Sequence, residues 1–186
     1  MDDIRSVMLE RRTVHDYLDA PLPQGAVERA IEVALAAPNH RMTEPWRFYR
    51  VGPRTRGQLC EISIELKSGG AQPRDDLVAT TRRKMLNPAE LLVVSRIRSE
   101  DPRVEREDYA AIACAIQNLS LSLWSEGIGS KWSTGGVTRA EATYAALNID
   151  AHVEEIVGFI WVGMAAKQKP KVPRRLSADD VVRRLP

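Results

Sequence analysis

The sequence predicts an α+β sandwich, in which helices flank a few strands. Three observations lead there. Trp46-Arg47-Phe48-Tyr49-Arg50-Val51, the run Leu91 to Ile97 and the run Glu155 to Gly163 carry the aromatic, β-branched and apolar content of strands. The stretches between them repeat apolar residues at helical spacing. The 186 residues show no internal repeat and no linker, which suits a single domain over 1–186 with 167–186 as a C-terminal arm.

In chain order, Ile4, Val7 and Met8 mark a short helix from Asp2 to Arg11, broken by Ala20-Pro21-Leu22-Pro23. Val27, Ile31, Ala34 and Leu35 form the apolar face of a second helix, which Pro38 ends by disfavouring helix in the residue before it. The aromatic strand then runs to Gly52-Pro53. Residues 54–68 read as a helix with Leu59, Ile62 and Leu66 on one side, followed by a loop over 68–73 and a polar helical stretch up to Leu86. Leu91 to Ile97 is the next strand. The longest helix is expected over 106–126. Its middle, Ala110 to Ile116, is small and apolar nearly all round, which implies burial on most sides and room for another helix or a flat ligand. Gly127-Ile128-Gly129 stops it. An extended run, Ser130 to Thr134, leads through Gly135-Gly136 to a helix from Arg139 to Leu147 and then to the last strand. Beyond Lys167 the chain is rich in Lys, Arg and Pro, an extended arm lying on something else.

Composition narrows the function. With 44% hydrophobic and 28% charged residues the chain reads as soluble and globular. Its 27 Lys+Arg against 25 Asp+Glu argue against a nucleic-acid binder, and the basic arm lacks aromatic residues and contains Asp179-Asp180. No run approaches the roughly 20 apolar residues of a membrane span. Cys60 and Cys114 are far apart and the amino end, Met1-Asp2-Asp3, is acidic, so the expectation is a reducing, cytoplasmic setting. His15, His40 and His152 have no metal-ligand spacing, so no metal is expected. No hydrolase motif is present, which leaves chemistry by a bound organic cofactor.

Three stretches carry candidate residues. Arg11-Arg12-Thr13 reads either as cations at a helix C-terminus or as an anion site of two guanidiniums; from the pair alone the first reading is preferred. The loop Ala37-Pro38-Asn39-His40-Arg41-Met42-Thr43-Glu44-Pro45 sets an amide, an imidazole, a guanidinium and a hydroxyl between prolines, an arrangement costly to order unless it holds something. Gly127 to Gly136 is glycine-rich but matches neither a phosphate loop nor a dinucleotide fingerprint.

Taken in order, Arg11-Arg12-Thr13, Ala37-Pro38-Asn39-His40 with Pro45-Trp46-Arg47-Phe48, Gly127-Ile128-Gly129 and Gly158-Phe159-Ile160-Trp161-Val162-Gly163 resemble the nitroreductase superfamily, in particular its short, single-domain bacterial branch. The resemblance implies a three-layer sandwich with a mixed or antiparallel central sheet, and an intertwined homodimer with FMN at the subunit interface. Arg11 and Arg12 would hold the phosphate and ribityl chain, with Thr13 in the place of the family's serine. Asn39 and His40 would line the flavin, His40 from the partner chain or its loop. Trp132, Ser133 and Thr134 would run along the isoalloxazine, and Arg175 or its neighbour Arg174 would complete the phosphate site. Lys131 or Arg41 would supply the positive charge that favours the reduced ring.

The sequence departs from the family pattern in two places. Ser133 stands where close relatives often carry arginine, and no clear copy of the Asn/Lys pair at the pyrimidine edge is present. The implied activity is electron transfer from NADH or NADPH to a small-molecule acceptor such as a nitroaromatic or quinone, by a ping-pong mechanism with no catalytic side chain. The alternative is an FMN-binding carrier or sensor without turnover.

Overall fold

The computed structural model of the protein describes residues 3–167 and 176–185. Its strands are β1 (Trp46–Arg50), β2 (Glu90–Ile97), β3 (Ile128–Ser133) and β4 (Glu154–Met164). They form a sheet of order β1-β2-β4-β3 in which every pairing is antiparallel, the simpler of the two expected arrangements.

Why β2 and β4 lie at the centre follows from their sequences. A strand covered on both faces needs apolar side chains of both parities. Leu91, Leu92, Val93 and Val94 are all fully buried. Leu92 and Val94, with Ile160 and Val162 of β4, face helices α2 (Ala26–Leu35) and α5 (Pro102–Ser125). Leu91 and Val93, with Phe159 and Trp161, face the other layer. That layer holds α3 (Pro53–Ser68), α4 (Asp75–Leu86) and α6 (Glu141–Leu147). Each such side chain contributes roughly 1.5–3 kcal/mol by leaving water. The result is three layers.

Helix α1 (Ile4–Glu10) is shorter than its expected span, and α5 begins at Pro102, where Asp101 caps it by accepting from Arg103 N–H at 2.8 Å. The expected burial of Ala110 to Ile116 on most sides holds for Ala111, Ile112, Ala115 and Ile116 only; Ala110 and Cys114 are exposed on this chain. At the other end, the expected extended arm contains one helical turn, α7 (Ala178–Val181), because Ser177 and Asp180 form a capping box.

Near the end of β2, Arg96 is 3% exposed and holds Glu105 at 2.7 Å and Glu155 at 2.6 Å. Hydrogen bonding to Arg96, assisted by the Ser99 N–H and opposed by burial, keeps the Glu105 carboxyl below its ordinary pKa. A depressed folded-state pKa contributes stability that is present above the unfolded value and lost as pH falls through the folded one. The urea midpoint of the wild type is expected to fall as pH drops from about 5 toward 3, and Glu105→Gln to remove part of that fall. Parallel pH dependence in the two proteins would refute this role.

Candidate active site

The site begins with the segment that follows α1. Val14 N–H donates to Ser130 C=O at 3.1 Å, so the chain runs beside β3, and Leu18 N–H donates to Met164 C=O at 2.8 Å. Tyr17 is buried beneath it and donates its hydroxyl to Val14 C=O at 2.9 Å. Burial, with Asp16 nearby, pushes the Tyr17 phenol well above its ordinary pKa, so it remains a donor. Gly129 makes the approach possible, because a Cβ there would lie 2.6 Å from Val14 Cγ2. This docking sets Thr13 beside Ser130 of β3, with Arg11 two residues before it.

A cavity of about 410 Å³ lies there, lined by Arg11, Thr13, Ser130, Trp132, Thr134 and the α5 side chains Tyr109, Ile116, Gln117 and Ser120. It offers a guanidinium and several hydroxyls beside an indole and an aliphatic wall. Of the residues expected at a cofactor, Arg11, Thr13, Trp132 and Thr134 meet here. Arg12 does not line this cavity: its guanidinium donates to Leu9 C=O at 2.8 Å and Arg11 C=O at 2.9 Å, the helix-end role open to a cation in that position.

Ser133 has the opposite parity on β3 and opens into a second cavity of about 340 Å³, with Lys67, Lys84, Lys131, Gly135, Gly136 and the rings of Phe159 and Trp161. Lys67 donates to Thr81 Oγ1 at 3.0 Å, and burial, reinforced by the nearby charge of Lys84, lowers its pKa. Asn39 and His40 border a third cavity, with Glu107, Ala110 and Cys114 of α5. Within one chain the structure therefore separates His40 from Arg11: Glu107, Ala110 and Cys114 form one strip of α5, and Tyr109, Ile116 and Ser120 another. Arg175 and Arg174 lie outside the described residues.

Tyr109, Gln117 and Ser120 were missed from the sequence. Their signal was a polar strip at eight- and eleven-residue spacing along the helix. Lys67 and Lys84 gave none, since only the packing of α3 and α4 beneath β3 brings them there.

The sequence model of the Nitroreductase family matches residues 8–164. The chain belongs to the nitroreductase family. A Bacillus subtilis protein carrying the name NAD(P)H nitroreductase YfhC is 29% identical over 182 residues, covering 95% of this chain and 91% of that protein. Among solved structures, a nitroreductase-like protein of Bacillus cereus superposes with a TM-score of 0.84 at 22% identity, covering 100% of this chain and 97% of that one. A Desulfovibrio desulfuricans protein described as a nitroreductase and solved in complex with FMN gives 0.76 at 20% identity, covering 100% and 99%. Among the described residues no helix of this nitroreductase-family chain is long and apolar enough to cross a membrane.

The wall formed by Trp132 depends on Gly158 of β4. The indole Nε1 donates to Val157 C=O at 3.4 Å, and a Cβ on Gly158 would collide with Nε1 and lie 2.6 Å from Cδ1. Gly158→Ala is expected to drive the indole off β4 toward the cavity and to cost about 1–3 kcal/mol by overpacking. In a Trp132→Ala background most of that cost should vanish, which urea unfolding of the four proteins measures. An equal cost in both backgrounds would contradict the assignment.

Proposed function

We propose that this chain is an FMN-dependent NAD(P)H oxidoreductase whose flavin site is completed by a second copy of the chain. The observation that carries the reading is the cavity beside β3. Arg11, with the hydroxyls of Thr13, Ser130 and Thr134, offers charge-assisted and neutral hydrogen bonds to a phosphate and a polyol. Trp132 and Ile116 offer the apolar wall that a flat ring system needs. These residues fit the group. When bound, FMN supplies hydride and electron transfer between NAD(P)H and an acceptor, a nitroaromatic or a quinone, in a ping-pong sequence.

The protein's part is to bind, orient and bias. Arg11 holds the phosphate end. Thr134, just past the end of β3, would offer its backbone N–H to the ring. Lys84 and Lys131 line the cavity on the opposite face of β3 and would add positive charge on that side of the strand, the sign that favours a reduced, anionic ring. No side chain needs to act as nucleophile, and specificity for the acceptor lies in the open space above Trp132 and Tyr109.

Support for a dimer comes from apolar side chains exposed among the described residues. Ile4, Met8 and Leu9 of α1 are 68%, 51% and 62% exposed, and Tyr109, Ala110 and Cys114 of α5 add to the same kind of surface. Apolar patches of this kind mark interaction sites. A two-fold partner lays its own Asn39 and His40 near the cavity that holds Arg11, which removes the separation seen within one chain.

Protein stripped of flavin is expected to bind added FMN with quenching of flavin fluorescence, and the complex to bleach when NADH or NADPH is added without oxygen. Arg11→Ala should weaken binding by roughly 1.5–3 kcal/mol. Arg12→Ala should weaken it less, since Arg12 serves the end of α1. Unchanged affinity in Arg11→Ala would refute the phosphate role. A complex that binds FMN but is not reduced by either nucleotide would point to a carrier or sensor.

A further inference from the structure

The loop that carries His40 adopts an unusual backbone. Arg41, Met42 and Glu44 have φ of 61°, 51° and 47°, the left-handed region that non-glycine residues avoid. Such a loop persists only where surrounding contacts over-determine it. His40, Arg41 and Met42 are nonetheless exposed, Met42 to 81%, so their own packing does not hold it.

The contacts that do hold it run inward from Thr43. Its hydroxyl donates to Asp108 Oδ1 of α5 at 2.5 Å. A hydroxyl has one proton and an ionised carboxylate only accepts, so the direction is fixed. Thr43 Oγ1 then accepts from Asn39 Nδ2 at 3.0 Å, which leaves Asn39 Oδ1 to accept from Glu44 N–H at 2.7 Å. The relay ties the start of the loop to its end and both to the helix. Arg41 Nε, 4.0 Å from Glu107 Oε2, adds a weak second tether one residue from Asp108. Asp108 is only 3% exposed, and a carboxylate buried in that way is costly unless it is hydrogen-bonded.

We infer that Asp108 and Thr43 are positioning residues: they clamp the strained 39–44 loop to α5 and so hold His40 ready for the flavin of the neighbouring subunit. The inference rests on the flavin reading above for the role of His40, whereas the clamp itself stands on the hydrogen-bond relay. The clamp is anchored at Asp108 on α5, the helix whose other strip lines the Arg11 cavity, so a shift of the loop moves His40 without touching the protein's own phosphate site.

Thr43→Val keeps the shape of the side chain and removes both its donor and its acceptor. In flavin-free protein, trypsin is expected to cut after Arg41 faster in Thr43→Val than in wild type, with Thr43→Ser restoring the slow rate. An unchanged cleavage rate would overturn the clamp whatever the cofactor. In FMN titrations followed by flavin fluorescence, Thr43→Val should raise the dissociation constant roughly tenfold, from the loss of a bond to a charged group. Thr43→Ser should again restore it. In a His40→Ala background the same valine substitution should change the constant by less than about twofold, since coupled residues are not additive. Equal weakening in both backgrounds would overturn action through His40 and leave only general loosening. Wild-type protein that fails to bind FMN at all would overturn the role given to His40 together with the flavin reading, while the cleavage rates still judge the clamp.

Discussion

A 24-residue helix that is apolar around much of its circumference cannot bury all of its surface against one sheet. The rest of the structure depends on how α5 resolves that constraint. One side of it, Ile112, Ala115, Ile116, Leu119 and Leu123, packs on β2, β4 and α2 and makes the core. A second strip, Tyr109, Gln117 and Ser120, closes the cavity into which the docked amino-terminal segment delivers Arg11 and Thr13. A third strip supports the strained His40 loop through Asp108 and Glu107. Ala110 and Cys114, beside the His40 loop, are left exposed among the described residues. Core, cavity, loop and exposed apolar strip are four uses of one helix, and their relative positions are set by its geometry.

The sheet explains why the cavity lies at β3. Strands β2 and β4 are apolar on both faces and belong inside, whereas β3 alternates two kinds of polar environment. Ser130, Trp132 and Thr134 look toward α5, and Lys131 and Ser133 toward α3 and α4. An edge strand of this kind, with a second segment hydrogen-bonded beside it and glycines where side chains must come close, brings cations to both sides of one short stretch of backbone.

Much of this was legible in the sequence, for identifiable reasons. Runs buried on both faces announced β2 and β4, and helical spacing announced α2, α3 and α5. The grouping of Arg11, Thr13, Trp132 and Thr134 was legible only through the order of motifs, since no local rule joins residues so far apart. Arg12 was ambiguous, and the structure gives it the helix-end role its own residue type allows. Ser133 was grouped with its neighbours although strand alternation sends it to the opposite face. The bond from Thr43 to Asp108 joins residues 65 positions apart and had no sequence signal. Lys67 and Lys84 were equally hidden, because their site exists only once two helices pack beneath a strand. The turn of α7 was missed for a smaller reason: Ser177 and Asp180 form a capping box inside a stretch that composition marks as extended.

If FMN is held between two copies of this chain, each of 20.8 kDa, flavin and subunits separate together. Sedimentation velocity recorded at the flavin absorption band tests it most directly. The account predicts a single yellow boundary at the mass of two chains, with flavin leaving the protein as dilution separates the subunits. A yellow boundary at the mass of one chain, retaining its flavin on dilution, would contradict it.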